Sequence, residues 1–282
     1  MKRCVTVGFQ ARNTVIEYNN TNAVTKTMLP IDALNAARTG NRPVRIDSIG
    51  LSPSLRLLVL APHPDDFDAI AVTLQYLQTQ GNEIHLAVLS GGSKGVQDSY
   101  ANPPTWEQKA RLREKEQVDS CSFFGLPPAR LSFLRLREAE DGELAHEADN
   151  QVGIRRLIGE TSPDVLFLPY GDDSNAGHRR TYDMARTAAR ELGAPLLALY
   201  NKDAKTLSFR HDLYVGFGEP QADWKRTLLR FHDTQQARNL ETRGHGFDER
   251  ILDFNRKLAR ELNLEAAYAE AFQIELFVTN RT

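Results

Sequence analysis

From Leu57 onward, apolar and polar positions fall into regular blocks. Leu57-Leu58-Val59-Leu60-Ala61 is a continuous apolar run bounded by Pro62, the pattern of a strand buried on both faces. A helix is expected from about Ala69 to Thr79, stopped by Gly81, followed by a strand from Ile84 to Leu89 and the loop Ser90-Gly91-Gly92-Ser93-Lys94-Gly95. Together these make a βαβ unit. The next helix opens on Thr105 as N-cap with Gln108 three residues on, and closes at Gly125 ahead of Pro127 and Pro128. A third strand over Leu131 to Leu136 leads to the turn Asp141-Gly142, and a helix around Val152 to Gly159 leads to a fourth strand, Asp164 to Leu168. The polar loop from Pro169 to His178 opens a helix that runs through Leu192, before the strand Leu196 to Tyr200. Strands alternating with helices predict an α/β fold: a doubly wound, mostly parallel, Rossmann-like sheet with helices on both faces.

The two ends of the chain are less regular. After Tyr200 the pattern predicts a hairpin near Leu207 to Phe217, helices near Asp223 to Phe231 and Phe247 to Leu262, and a last strand from Gln273 to Thr279. Residues 1–54 are polar and carry short alternating pieces such as Cys4-Val5-Thr6-Val7 and Thr14-Val15-Ile16-Glu17. They predict an N-terminal extension of short strands within the same domain as residues 55–282.

Composition narrows the function classes. With 282 residues and 41% hydrophobic content, the chain can bury one large core. A net charge of -2 provides no general basic surface, so nucleic acid and anionic membrane are not expected partners. Cys4 and Cys121 are too few for a disulfide framework or a thiolate zinc cluster, so a metal would have to use histidine and carboxylate. Met1-Lys2-Arg3 is not followed by a continuous apolar segment, and no later run is long enough to cross a bilayer. The expectation is a cytoplasmic protein acting on a small molecule; a homo-oligomer is compatible with the sequence, which is silent on the point.

The candidate chemistry sits where the first strand ends, in His63-Pro64-Asp65-Asp66-Phe67-Asp68. Pro64 disfavours helical conformation at His63, so the strand stays extended up to the histidine before the chain turns. In open α/β sheets ligands bind beyond the carboxyl ends of strands. The turn lets His63 and Asp66 point to one centre while Asp65 stands beside it. Catalytic zinc takes three protein ligands and an exchangeable water. His178 is the best third ligand, because it follows another parallel strand in a loop whose Gly and Asn content permits close approach. Asp65 is then placed to act as base without coordinating.

These residues resemble the signature of the PIG-L/LmbE-like zinc N-deacetylases, a strand followed by His-Pro-Asp-Asp-Glu. The resemblance implies His63, Asp66 and His178 as metal ligands for Zn2+, with another divalent metal such as Fe2+ fitting the same donors, and Asp65 as general base. It extends over nearly everything after Leu57: Arg113 and Glu116 resemble the family's Arg-x-x-Glu helix, Asp141-Gly142 its Asp-Gly, and Lys225, His232 and Gln235 a later Lys…His-x-x-Gln stretch. Arg113 and Asp141 are therefore candidate contacts for sugar hydroxyls. The implied activity is removal of an N-acetyl or other N-acyl group from an amino sugar or sugar conjugate such as an N-acetylglucosamine derivative.

Two positions depart from the family. Phe67 replaces the signature glutamate, and Asn175 stands where many members have the first histidine of His-x-x-His. An amide can donate a hydrogen bond to an oxyanion but cannot transfer a proton. Catalysis is then slower, or another group such as His232 supplies the acid; the rival reading is a non-catalytic metal- and sugar-binding member of the same fold. A third reading takes Asp65-Asp66 as the metal-nucleotide site of a sugar transferase, which leaves His63 and His178 without a role. Arg113 and Glu116, at i, i+3 spacing, read equally as an ordinary helical ion pair. Ser90 to Gly95 lacks the register of a phosphate-binding loop and reads as the rim of the site.

Overall fold

In the computed structural model, residues 29–277 are described, so the pieces Cys4–Val7 and Thr14–Glu17 lie outside the described residues. Helix α1 (Ile31–Thr39) and the two-residue strand β1 (Val44–Arg45) come first. The regular alternation follows: β2 (Arg56–Ala61), α2 (Ala71–Thr79), β3 (Glu83–Val88), α3 (Trp106–Phe124), β4 (Leu131–Phe133), α4 (Ala148–Thr161), β5 (Val165–Pro169), α5 (Ala176–Leu192) and β6 (Leu196–Asn201). The chain closes with β7 (Leu213–Phe217), α6 (Glu219–Leu229), α7 (Asp233–Arg243), α8 (Phe247–Glu261) and β8 (Tyr268–Phe277). All eight strands join one sheet in the order β1-β7-β8-β6-β5-β2-β3-β4, parallel except for β8, which runs antiparallel between β6 and β7.

The pleat of β2 explains its uninterrupted apolar run. Leu57, Val59 and Ala61 face a core shared with Leu74 of α2, Phe124 of α3 and Leu228 of α6. Leu58 and Leu60 face the other side, against Ile154 and Ile158 of α4 and Met184 and Ala185 of α5. Both faces are covered, as a parallel sheet requires. The doubly wound, mostly parallel sheet read from the sequence is the observed architecture.

The α3 signals hold in detail. Thr105 Oγ1 accepts from Gln108 N at 3.2 Å, and Gly125 closes the helix in the left-handed region at φ 86.

Four expectations are corrected. The third strand ends at Phe133 rather than Leu136, because Arg135 turns to φ 48 and breaks the pleat, although Leu134 N and Leu136 N still donate to Val88 and Leu89 carbonyls. No hairpin forms over 207–217; β7 alone is a strand, paired with β1 on one side and β8 on the other. The segment before it is pinned instead by single bonds, such as Leu207 N to Asp172 O at 2.8 Å. Helix α7 was not expected at all: it has no apolar stripe, and the face it buries is polar, with Thr234, Gln235 and Asn239. Ahead of β2 the described part of the extension is mainly helical, and α1 packs Leu34 and Ala37 into the main core.

The order of strands creates the crevice. From β2 the chain moves outward through β3 and β4, then returns to the other side of β2 with β5. Loops after β2 and β5 therefore diverge at a topological switch point, and the gap between them is where an α/β sheet binds its ligand.

Candidate metal centre and pocket

His63 leaves β2 and His178 follows β5, so the switch point brings together residues 115 positions apart. Ligand atoms of His63, Asp66 and His178 all lie within 4.8 Å of one another. Asp66 occupies the middle. Its Oδ2 accepts from His63 N at 2.8 Å and lies 3.2 Å from His63 Nδ1, while its Oδ1 lies 3.4 Å from His178 Nε2. Burial would raise the Asp66 pKa, but His178 and His63 overcome it and hold this carboxyl well below its ordinary value.

His178 carries the test of whether a metal fits. Its side chain is 1% exposed and its Nδ1 is fixed by Asp173 Oδ2 at 3.2 Å, with Asp203 Oδ2 at 3.8 Å. A carboxylate behind one imidazole nitrogen orients the other for coordination. That other nitrogen, Nε2, is buried without a hydrogen-bond partner. Buried polar atoms are rarely left so. Burial and Lys205 lower the His178 pKa, yet Asp66 and Asp173 raise it to about 10. Two imidazoles and a carboxylate around one orphaned nitrogen are a donor set that suits a divalent transition metal.

The local backbone serves this approach. Asn175 caps α5, its Oδ1 accepting from His178 N at 3.0 Å, and so sets the histidine on the first turn. A Cβ on Gly177 would lie 2.6 Å from Glu143 Oε2 and 3.1 Å from His63 Nε2, so only glycine lets α5 come this close.

Asp65 sits beside the cluster at φ 112, a conformation costly for a residue with a Cβ. Its carboxylate meets Arg113 Nη2 at 3.0 Å, and its backbone N donates to Gln117 Oε1 at 2.9 Å. Arg113 is buried, and it also donates to Gly92 O at 3.0 Å and to Pro64 O. Arg113 and Glu116 are thus not an ion pair with each other: Glu116 accepts from Thr234 N and Oγ1, both at 2.7 Å, and anchors the start of α7.

A cavity of about 450 Å³ opens over the cluster, within the range of small-molecule sites. His63, Asp65, Arg113, Glu143, Asn175 and Lys205 line its inner part. Asp141 is exposed and lies outside that lining, held by both guanidinium nitrogens of Arg180 at 3.0 and 2.7 Å; its neighbours Gly142 and Glu143 do line the pocket. His232 is fully buried, with Nε2 2.8 Å from Asp68 Oδ2, and does not line the pocket either. Lys225 is equally buried, donating to Glu270 Oε1 at 2.7 Å and Asn255 Oδ1 at 2.9 Å. Phe67 is buried, edge-on to Phe124 with ring centroids 4.9 Å apart.

Sequence reasoning missed Glu143 and Asp173. Glu143 Oε2 lies 2.7 Å from His63 Nε2, and its Oε1 accepts from Asn175 Nδ2 at 3.2 Å, tying the loop after β4 to both metal-site loops. Its signal was its place directly after Asp141-Gly142. Asp173 had a weaker one, a carboxylate five residues ahead of His178 in the polar loop that leads to it.

The sheet, the switch point and the histidine-carboxylate cluster define an α/β protein with a candidate metal site at the carboxyl ends of its strands. Residues 58–189 match the family described as PIG-L: GlcNAc-PI de-N-acetylase. The fold is shared with N,N'-diacetylchitobiose deacetylase from Pyrococcus horikoshii, at 18% identity over 79% of this chain and 84% of that one, TM-score 0.64. A zinc-inhibited form of teicoplanin deacetylase aligns at 14% identity over 80% and 100% of the two chains, TM-score 0.59. A 4-carboxy-2-hydroxymuconate hydratase from Pseudomonas putida has the same fold at 17% identity over 78% and 95%, TM-score 0.59. No curated protein sequence matches the chain significantly. Among the described residues no helix is long and apolar enough to cross a membrane.

Proposed function

We propose that this protein is a zinc-dependent hydrolase that removes an N-acetyl group from a small amino sugar or sugar conjugate in the cytoplasm. The observation that carries the reading is the unpartnered, buried Nε2 of His178, in one cluster with Asp66 and with His63, which lines the pocket. A divalent metal held by His63, Asp66 and His178 would polarise an amide carbonyl and lower the pKa of water.

The remaining work falls to the chain's own residues. Asp65 stands beside the ligands and accepts the proton of the attacking water, while Arg113, 3.0 Å away, holds that carboxylate in place. Of the two N–H bonds on the Asn175 amide, one is given to Glu143; the other is available to the developing oxyanion. The departing amine takes up the proton that Asp65 accepted from the water. Arg113 acts on substrate through Asp65, which its Nη2 meets at 3.0 Å, while its terminal nitrogens also donate to Gly92 and Pro64 carbonyls.

Metal analysis and an amine-release assay on N-acetylglucosamine derivatives test this reading. Stoichiometric metal with full activity in Asp65→Ala would overturn the assigned base.

A second reading, a metal- and sugar-binding protein without turnover, is favoured by Asn175, whose amide caps α5 and carries no transferable proton. Sugar binding with no amine release over a broad N-acyl panel would select it. The hydratase with this fold is a reason to run the panel, because the fold alone does not choose the reaction.

A further inference from the structure

Asp68, Gln117, Ser120 and His232 are fully buried polar residues outside the pocket lining. Their hydrogen bonds form one chain that ends on the backbone of Asp65, which does line the pocket. Gln117 Oε1 accepts from Asp65 N at 2.9 Å. Its Nε2 donates to Asp68 Oδ2 at 3.0 Å and to Cys121 Sγ at 3.4 Å. Asp68 Oδ2 also meets His232 Nε2 at 2.8 Å, and its Oδ1 accepts from Ser120 Oγ.

The chemistry of these groups gives the chain a direction. An ionised carboxylate only accepts, whereas a side-chain amide has one accepting end and one donating end. The donating end of Gln117 therefore faces Asp68. Turning the amide over would set its oxygen against the carboxylate and its NH2 against the Asp65 N–H, two mismatches in a buried place. For the same reason His232 carries a hydrogen on Nε2 and donates it to Asp68, so it reaches the pocket only through this chain.

Asp65 needs a grip of this kind, because an aspartate stays at φ 112 only where its contacts over-determine it. Its carbonyl oxygen accepts from Asp68 N at 3.1 Å and Ala69 N at 3.3 Å, and its carboxylate meets Arg113. Gln117 holds the remaining group, the N–H. Arg113 and Gln117 stand four residues apart on α3, so one helix face grips both the side chain and the backbone of Asp65. The glutamate position of the family signature is Phe67, packed on Phe124 of the same helix; the carboxylate that steers Gln117 is the next residue, Asp68.

We propose that Gln117 is the positioning residue that holds Asp65 at this backbone angle, with Asp68, Ser120 and His232 setting the direction of its amide. The proposal rests on Asp65 as the base of the proposed hydrolysis. Gln117 does not line the pocket, so its loss slows turnover through Asp65 and leaves substrate binding alone.

Crystal structures of metal-loaded wild type and Q117M read the backbone directly. Methionine keeps the length of glutamine and removes its strong acceptor. In Q117M, Asp65 is expected to leave the positive-φ region. With an N-acetylglucosamine derivative, kcat per bound metal should fall at least about ten-fold while KM stays within about two-fold, the signature of a misplaced base. Asp65 at the same φ in both structures, or kcat equal to wild type, overturns the proposal. Q117E sets a second carboxylate against Asp68 and should also lower kcat; D68N/Q117E gives that carboxylate a donor again and should recover about ten-fold over Q117E. A double variant no more active than Q117E overturns the steering by Asp68, and this pair carries the test if Q117M does not fold. A displaced Asp65 in Q117M, with no amine release by wild type from any N-acetyl sugar, upholds the positioning role and overturns the hydrolase reading.

Discussion

Asp65 and Arg113 face each other at 3.0 Å, carboxylate to guanidinium, between the turn that joins β2 to α2 and the middle of α3. The pair fixes an aspartate held at φ 112 against the edge of the candidate metal site. Strain of this kind, of order 1–3 kcal/mol, persists only where surrounding contacts over-determine it, and here Gln117 and Arg113 supply them. Asp65→Asn is expected to lower kcat by about 10²–10⁴-fold, as loss of a general base does, with bound metal unchanged by elemental analysis. Arg113→Gln should lower kcat in the same direction with bound metal unchanged, because the guanidinium no longer holds the Asp65 carboxylate in place.

His178→Ala is expected to abolish metal binding. Asp173→Asn removes only the group behind Nδ1 and should weaken metal affinity by about 10–100-fold, measured by competition with a chelator. The sign of the pH dependence follows from His178. Its pKa in the metal-free protein is raised to about 10 by Asp66 and Asp173 against burial, and a ligand must be neutral to bind metal. Apparent affinity should therefore rise steadily with pH up to that value, with protons released on binding.

Asn175→His tests the departure at the first histidine of His-x-x-His. The substitution removes the cap on His178 N, at a cost of about 0.5–2 kcal/mol, and adds a group that can transfer a proton. A lower thermal midpoint together with higher kcat is expected. A loss of stability with no gain in turnover would remove the acid role from this position.

Phe67→Glu is expected to damage the protein although it restores the family's signature residue. Phe67 is fully buried against Phe124, and Phe67→Ala alone should cost about 3–5 kcal/mol. An unpaired carboxylate there costs more than the missing ring. The neighbouring Asp68 already makes the buried polar contacts, with Gln117, Ser120 and His232. Denaturant unfolding should show Phe67→Glu less stable than Phe67→Leu.

His232 gives a second pH effect, independent of metal. Burial lowers its pKa, but Asp68 overrides this and raises it above the ordinary 6.5. A histidine whose folded pKa is raised contributes stability that is full below the unfolded value and is lost as pH rises through the folded one. Stability is therefore expected to fall as pH climbs above about 6.5, and His232→Gln should flatten that slope in urea titrations.

Local chemistry made much of the protein legible. The unbroken apolar run of β2, the Thr105 cap and Gly125 stop of α3, and the Gly-rich opening of α5 are short-range patterns, and each element formed where its pattern lay. His63, Asp66 and His178 were readable for the same reason, since each follows a recognisable strand end. Helix α7 was not, because it buries Thr234, Gln235 and Asn239 through hydrogen bonds that no apolar periodicity records. Glu143 and Asp173 likewise gain meaning only from distance, 2.7 Å to His63 and 3.2 Å to His178.

The sequence by itself determined the alternating sheet and the residue types available for a metal, because propensity, capping and strand burial act over a few neighbours. Only the tertiary structure decided their use. It turned Arg113 toward Asp65 rather than toward Glu116, sent Asp141 to Arg180 outside the pocket lining, and set arginines from α7 and α8 along the pocket that His63 and Asp65 line. Those outcomes depend on which loops the strand order brings to one rim, and strand order is settled by the packing of the whole core.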